Sequence, residues 1–577
     1  MPYFLSGVLG GLLGAALFLW PAAAAAQNIE QLAAELRERG QAAHWLRLSG
    51  NAALEWRLNR IAGLPARADA LALRGQAALL VDVMGVKAPI SAAFSDGNIT
   101  YRLPAFAFVG ASPTYKWATL HIGDRSMNFS PYALAQHSYR GVGLELRPGK
   151  VYVAAFYGRL RRARPEDRDA IQNVEMARRR MGWGLKAGYD DGKNRLLAYV
   201  FGAKDDAPAP GNDSLQQWLP AQENAVVGIQ AARRLGRRWA IEMEAARSAL
   251  TRDRLGAPPA DDVRGWRYRF GGWVKPRLST GYHNAFKLKT QFSPIDKLAL
   301  YLTYERIDPG YRSLGALFFN NDLESAALGG QLSLWESRLS LAAQGGLQRF
   351  GLAPGGGQRM NRLAASISVN ARISERWQAS GSWTNVAATH RLRLTRIPIV
   401  QVDSVTWVQT NANLNLNATR LLGPDKDGSL TVATSYQQAR AVENEERLSA
   451  QESRFFSAVL ALAAPAPENG WQWEACALLN LTQTDVGPYW MAGPSAGLSR
   501  SMGGGKWTAG LGGAWQWAGG SGAAQVWDAH ADAGWQIAAG HTLALRASLV
   551  RAGLPGGAHF NDWNAALRYG VQFKPAH

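Results

Sequence analysis

The chain has 577 residues, among them 61 Gly, 22 Trp, 17 Tyr, 18 Phe and one Cys, with a formal net charge of +19. The lone Cys476 excludes an intramolecular disulfide framework. No apolar run after residue 26 reaches the roughly 18 residues that a membrane-crossing helix needs, which excludes a helical membrane bundle.

In chain order, residues 1–26 contain no Asp, Glu, Lys or Arg and run through Leu9, Leu12, Leu13, Leu17 and Trp20 into Ala22 to Ala26. This reads as a signal peptide cleaved between Ala26 and Gln27. Export sets nucleic acid aside as the partner of a basic chain and leaves anionic partners: lipopolysaccharide, acidic polysaccharide or an anionic solute. Residues 27–43 hold a short helical lead-in, IEQLAAELRERG, placed in the periplasm.

From His44 the pattern changes to period two, which puts alternate side chains on opposite faces of a strand. Segments of alternating character continue to Phe573, joined alternately by tight turns such as Arg147 to Lys150 and by longer polar connections such as 205–223, 251–279, 306–324 and 440–452. Short turns alternating with long loops are the signature of a membrane barrel. The expected fold is therefore all-β: a transmembrane antiparallel up-and-down β-barrel over 44–573, with about 24 strands (range about 20 to 28) and a tail at 574–577. A propeller would need a repeated four-strand motif, and a TonB-dependent importer an N-terminal plug domain for which the barrel's early start leaves no room.

The stretch from Tyr115 to Leu160 reads YKWATLHIGDRSMNFSPYALAQHSYRGVGLELRPGKVYVAAFYGRL. Its Lys116, Trp117, Thr119, His121, Gly123, Arg125, Ser126, Met127, Phe129, Ser130, Pro131, Tyr132 and Leu134, followed by Glu145, Pro148, Gly149 and Lys150, resemble the K-W-x-T-x-H-x-G-x-R-S-M-x-F-S-P-Y-x-L and E-L-x-P-G-K segments of a family of outer-membrane barrels from Bacteroidota. The resemblance implies location and fold, and no mechanism. Within 104–139, the polar loop carrying Arg125, Phe129, Ser130 and Tyr132 either folds into the lumen or caps the barrel, because irregular backbone at membrane depth needs protein or water around it.

Alternation assigns His283, Lys287, Lys289, Arg362, Arg372, Gln409, Asn411, Asn413, Asn415, Asp528, His530, Asp532, Arg546 and Arg568 to a polar, partly basic lumen lining. Asp528, His530 and Asp532 sit at i, i+2 and i+4 on one face, too spread along one strand for a compact metal or acid–base site, and pairing with Arg546 or Arg568 is the simpler reading. Gly493-Pro494-Ser495-Ala496-Gly497 matches G-x-S-x-G without the strand-turn-helix elbow that gives the motif meaning. No catalytic residue, cofactor or metal is assigned.

The last strand, WNAALRYGVQF, turns Trp563, Leu567, Tyr569, Val571 and Phe573 one way and resembles the C-terminal strand recognised by outer-membrane assembly machinery. The expectation is a porin-like passive channel. The alternatives are a plugged barrel that scaffolds a complex, binding a surface lipoprotein or polysaccharide, and an outer-membrane lipase or protease.

Overall fold

A computed structural model describes residues 46–573 apart from 66–68, 84, 97–105, 164–176, 207–218, 260–267, 269, 317–319, 355–357, 394–403, 444–445, 467–469, 486, 521–523 and 554–558. The signal peptide, the lead-in helix and the 574–577 tail lie outside the described residues.

The wall is a single antiparallel sheet that closes on itself. Each strand pairs with its sequence neighbours, and the first, Leu46–Ala62, pairs with both the second, Leu71–Val83, and the last, His559–Phe573. The closing seam runs from Gly50 opposite Phe573 to Ala62 opposite Asn561. Closure satisfies every edge, which is the condition for a sheet to stand in hydrocarbon. The ring has 26 strands, a little above the expected count, because 104–139 is not one loop. Phe106–Ala111 and Ala118–Ser126 in that segment are wall strands.

Period two explains the outer face. Leu302, Leu328, Leu347, Leu363 and Ile367 are exposed on adjoining strands, as are Leu414, Leu416, Val432, Leu460 and Leu498 farther round. Exposure of so many large apolar side chains on one face makes that face the lipid contact. At the end with the tight turns the same face carries aromatic pairs: Trp239 stacks on Phe292 at 4.3 Å and Trp507 on Trp535 at 4.8 Å, between centroids. Such a girdle suits the membrane–water interface.

The inner face differs around the ring. From Ser138–Leu146 to Leu298–Ile307 it is partly apolar and covered, with Tyr152, Phe156, Tyr199, Phe201 and Val226 buried in one cluster. Phe350 packs against this cluster, and from Gln358–Arg372 onward no such cluster covers the inner face among the described residues. The 251–279 connection also departs from a free loop, since Phe270 and Val274 pack on the outer-face residues Ala225 and Ala249, and Trp273 meets Trp183 edge-on at 5.4 Å.

Candidate functional site

Two short segments form a partition inside the barrel. Residues 127–137 follow Ala118–Ser126, and residues 308–316 follow Leu298–Ile307; they join through a two-residue parallel bridge, Leu134–Ala135 with Gly315–Ala316. The first segment touches strands spread over about a quarter of the ring: Phe129 meets Phe156 at 5.6 Å, its carbonyl accepts from Lys186 Nζ at 2.5 Å, and Tyr132 donates its hydroxyl to Glu305. A piece of this length reaches so many strands only from the concave side, so these contacts identify the inward face.

The partition is anchored by polar groups as well as by packing. Ser130 donates to Glu244, whose carboxylate also accepts from Tyr199 at 2.9 Å and from Gln230 at 3.0 Å. Tyr311 donates to the Tyr132 carbonyl at 2.9 Å, and Ser313 to that of Ala133. Asn224 ties the second segment to the wall, accepting from Leu314 N at 3.1 Å while donating to Ser248 at 2.9 Å. Phe129, Ser130, Tyr132, Ala133, Leu134 and Tyr311 are each at most 1% exposed. Loops with this many buried, satisfied polar groups are built parts of the interior rather than loose covers.

The remaining candidate residues fall into four groups. Arg125 is in a wall strand, not in the loop: its Nη1 donates to Ser91 Oγ at 3.0 Å and its Nη2 to the Pro89 and Gly110 carbonyls. It stitches the wall where Phe106–Ala111 is paired with Ala118–Ser126 through Gly110 and Ala111 alone. Beside the partition, His283 faces Ser248, Lys287 faces Glu244 and lies 3.9 Å from Glu305, and Lys289 faces Glu242. Basic and acidic side chains therefore alternate here.

On the open side, Asn413 and Asn415 face Thr384 and Ser382 across one ladder and Gln437 and Ser435 across the other, with Gln409 and Asn411 continuing the row. Ser368, Asn370, Ser380, Ser382, Asn415 and Ser435 help line a shallow groove of about 480 Å³ that contains no charged side chain. Arg362 and Arg372 flank this lane on their strand, and Arg362 Nε has no hydrogen-bond partner among the described residues. Farther round, Asp532 stands opposite Arg546, Arg568 opposite Glu55, and His530 lies 3.4 Å from Asp528. Among the described residues no three His, Cys, Asp or Glu side chains are grouped to hold a metal ion. The G-x-S-x-G match lies inside the strand Gly487–Met502, where no nucleophile elbow can form.

Sequence pattern missed the second segment of the partition. The signal was present: in Val151–Arg161 and Asn194–Asp205 both faces are largely apolar, so something had to cover the inward one.

No family model matches the chain. No curated protein matches it either. Solved structures similar to it include the P pilus usher (PapC) translocation pore, at 10% identity over 92% of this chain and 100% of that one, TM-score 0.37. OccK5 (OpdH) of Pseudomonas aeruginosa is 11% identical over 65% of this chain and 97% of its own, TM-score 0.34. The FrpB iron transporter from Neisseria meningitidis is 10% identical over 91% and 82%, TM-score 0.38.

Proposed function

We propose that this barrel is an outer-membrane passive channel whose polar lumen is narrowed on one side by the two-segment partition. The supporting observation is the uncharged lane of Asn, Ser, Thr and Gln on the open side. A ring of this many strands, at roughly 4.8 Å spacing and a tilt of about 40°, has a perimeter on the order of 160 Å. Two segments of this length fill a minority of the enclosed cross-section. Hydroxyl and amide side chains exchange hydrogen bonds with water and polar solutes without holding an ion tightly, as a conducting surface requires.

The buried partition supports a second reading, a scaffold whose interior is closed and whose long loops hold a surface lipoprotein or polysaccharide. Single-channel recording in planar bilayers separates the two. Conducting steps from folded protein are expected; a silent bilayer with folded protein would leave the scaffold. Membrane fractionation tests location independently, with recovery in the outer membrane expected. The last strand, with Trp563 to Phe573 alternating outward, is the segment offered to the assembly machinery.

A further inference from the structure

Among the described residues, arginines on the lipid-facing surface group with carboxylates and with one another at the end of the barrel with the long connections. Asp124 is held by Arg140 through both carboxylate oxygens, at 2.8 and 2.6 Å, with Arg159 directly across the next ladder. Glu324 lies between Arg306 at 3.8 Å and Arg349 at 3.7 Å. Glu452 lies between Arg440 at 3.3 Å and Arg454 at 3.0 Å. Each cluster gathers two guanidinium groups around one shared carboxylate, and in the second Arg306 also lies 4.0 Å from Asp308.

Between the second and third clusters, Arg359 and Arg391 are directly opposed across strands. Both are exposed, on the same face as Leu363, Ile367 and Trp383. Like charges at that position destabilise a ladder unless an anion lies between them. Arg349 is two residues beyond the exposed Leu347, which puts the belt within about 7 Å of the apolar band and so at headgroup height. At the opposite end the outward arginines behave otherwise: Arg420 and Arg500 lie over the Trp377 and Trp471 rings at 5.6 and 5.0 Å.

We infer that this arginine belt binds the phosphate groups of the phosphorylated glycolipid that forms an outer membrane's outer leaflet. The inference rests on the outer-membrane reading, since long connections then face outward. Guanidinium forks match phosphate oxygens two at a time, and a phosphate between Arg359 and Arg391 turns a repulsion into a bridge. The central carboxylates fix the guanidinium planes in advance, which reduces the ordering cost of capture.

The test uses the full chain in detergent, stripped of lipid, titrated with purified lipopolysaccharide, the same material after phosphatase treatment, or phosphatidylglycerol micelles. The triple variant Arg349→Ser, Arg359→Ser, Arg391→Ser is expected to bind phosphorylated glycolipid at least about tenfold more weakly, while the inward pair Arg362→Ser, Arg372→Ser stays within about twofold of native. Phosphatase treatment is expected to give a similar loss, and phosphatidylglycerol to bind native protein more weakly than lipopolysaccharide does. Equal binding by native and triple variant, by treated and untreated glycolipid, or by phosphatidylglycerol would each overturn the inference. Should the triple variant not fold, Arg391→Gln is measured, with about a threefold loss expected and no loss overturning it. Because the lipid is supplied in detergent, this result is independent of where the protein fractionates.

Discussion

At the residue scale, the partition depends on a close approach that only glycine permits. A Cβ on Gly184 would lie 2.6 Å from Phe129 Cε2 and 2.7 Å from Phe156 Cε1, both ring atoms of buried side chains. Gly184→Val should therefore expel Phe129, whose full burial contributes about 1.5–3 kcal/mol, without touching the lipid face. The expected result is a folded barrel with larger unit conductance. Native conductance from a folded Gly184→Val barrel would show that 127–137 does not constrict the path. Ser130 and Tyr132 were legible as interior candidates because polar loop residues at membrane depth need partners. Their pairing with Glu244 and Glu305 was not, since 114 and 173 residues separate each pair and only the inward fold of 127–137 brings them together.

Among the elements, the hairpins at the tight-turn end are the most readable from sequence. Asp190-Asp191-Gly192-Lys193 predicts a turn, and Gly192 indeed takes a φ of 80°. Asp191 accepts from Lys193 N at 2.9 Å and Asn194 N at 2.5 Å. These backbone donors, Asn194 first, hold its carboxyl well below the ordinary carboxylate range. A depressed folded-state value means the turn gains stability above the unfolded value near 3.8 and loses it as pH falls through the folded one. Asp191→Ala is expected to lower the amide protection of 189–195 at pH 7 and to flatten the loss of protection, taken relative to intrinsic exchange, as pH falls below 3.8. Identical exchange in native and variant protein at neutral pH would rule out this role. Elements at the other end were harder to read: 440–452 looks like a polar loop, but Glu443 pairs with Glu446 and the strands continue past the rim. Charged residues beyond the membrane form ladders as readily as apolar ones within it, and alternation then carries no lipid signal.

For the whole molecule, closure is the property from which stability follows. A ring with no free edge should resist SDS unless heated and migrate differently after boiling; identical migration of boiled and unboiled samples would contradict the closed seam between the first and last strands. Charge selectivity also belongs to this scale. Alternation predicts a polar, partly basic lumen lining that includes both lysines, but the register sets Lys287 and Lys289 opposite Glu244 and Glu242 on the partitioned wall. Paired charges of opposite sign largely cancel at the range over which a permeant ion feels them, given a Debye length of about 8 Å in physiological salt. Arg362 is different: its neighbours across both ladders are Gln348 and Ala388, and it borders the open lane. Selectivity should therefore follow Arg362 rather than the lysines. In a salt gradient, Arg362→Glu is expected to move the reversal potential clearly toward cations, and Lys287→Glu to move it much less. The opposite order, with both barrels folded and conducting, would put the conducting route along the partitioned wall and leave the uncharged lane without a transport role.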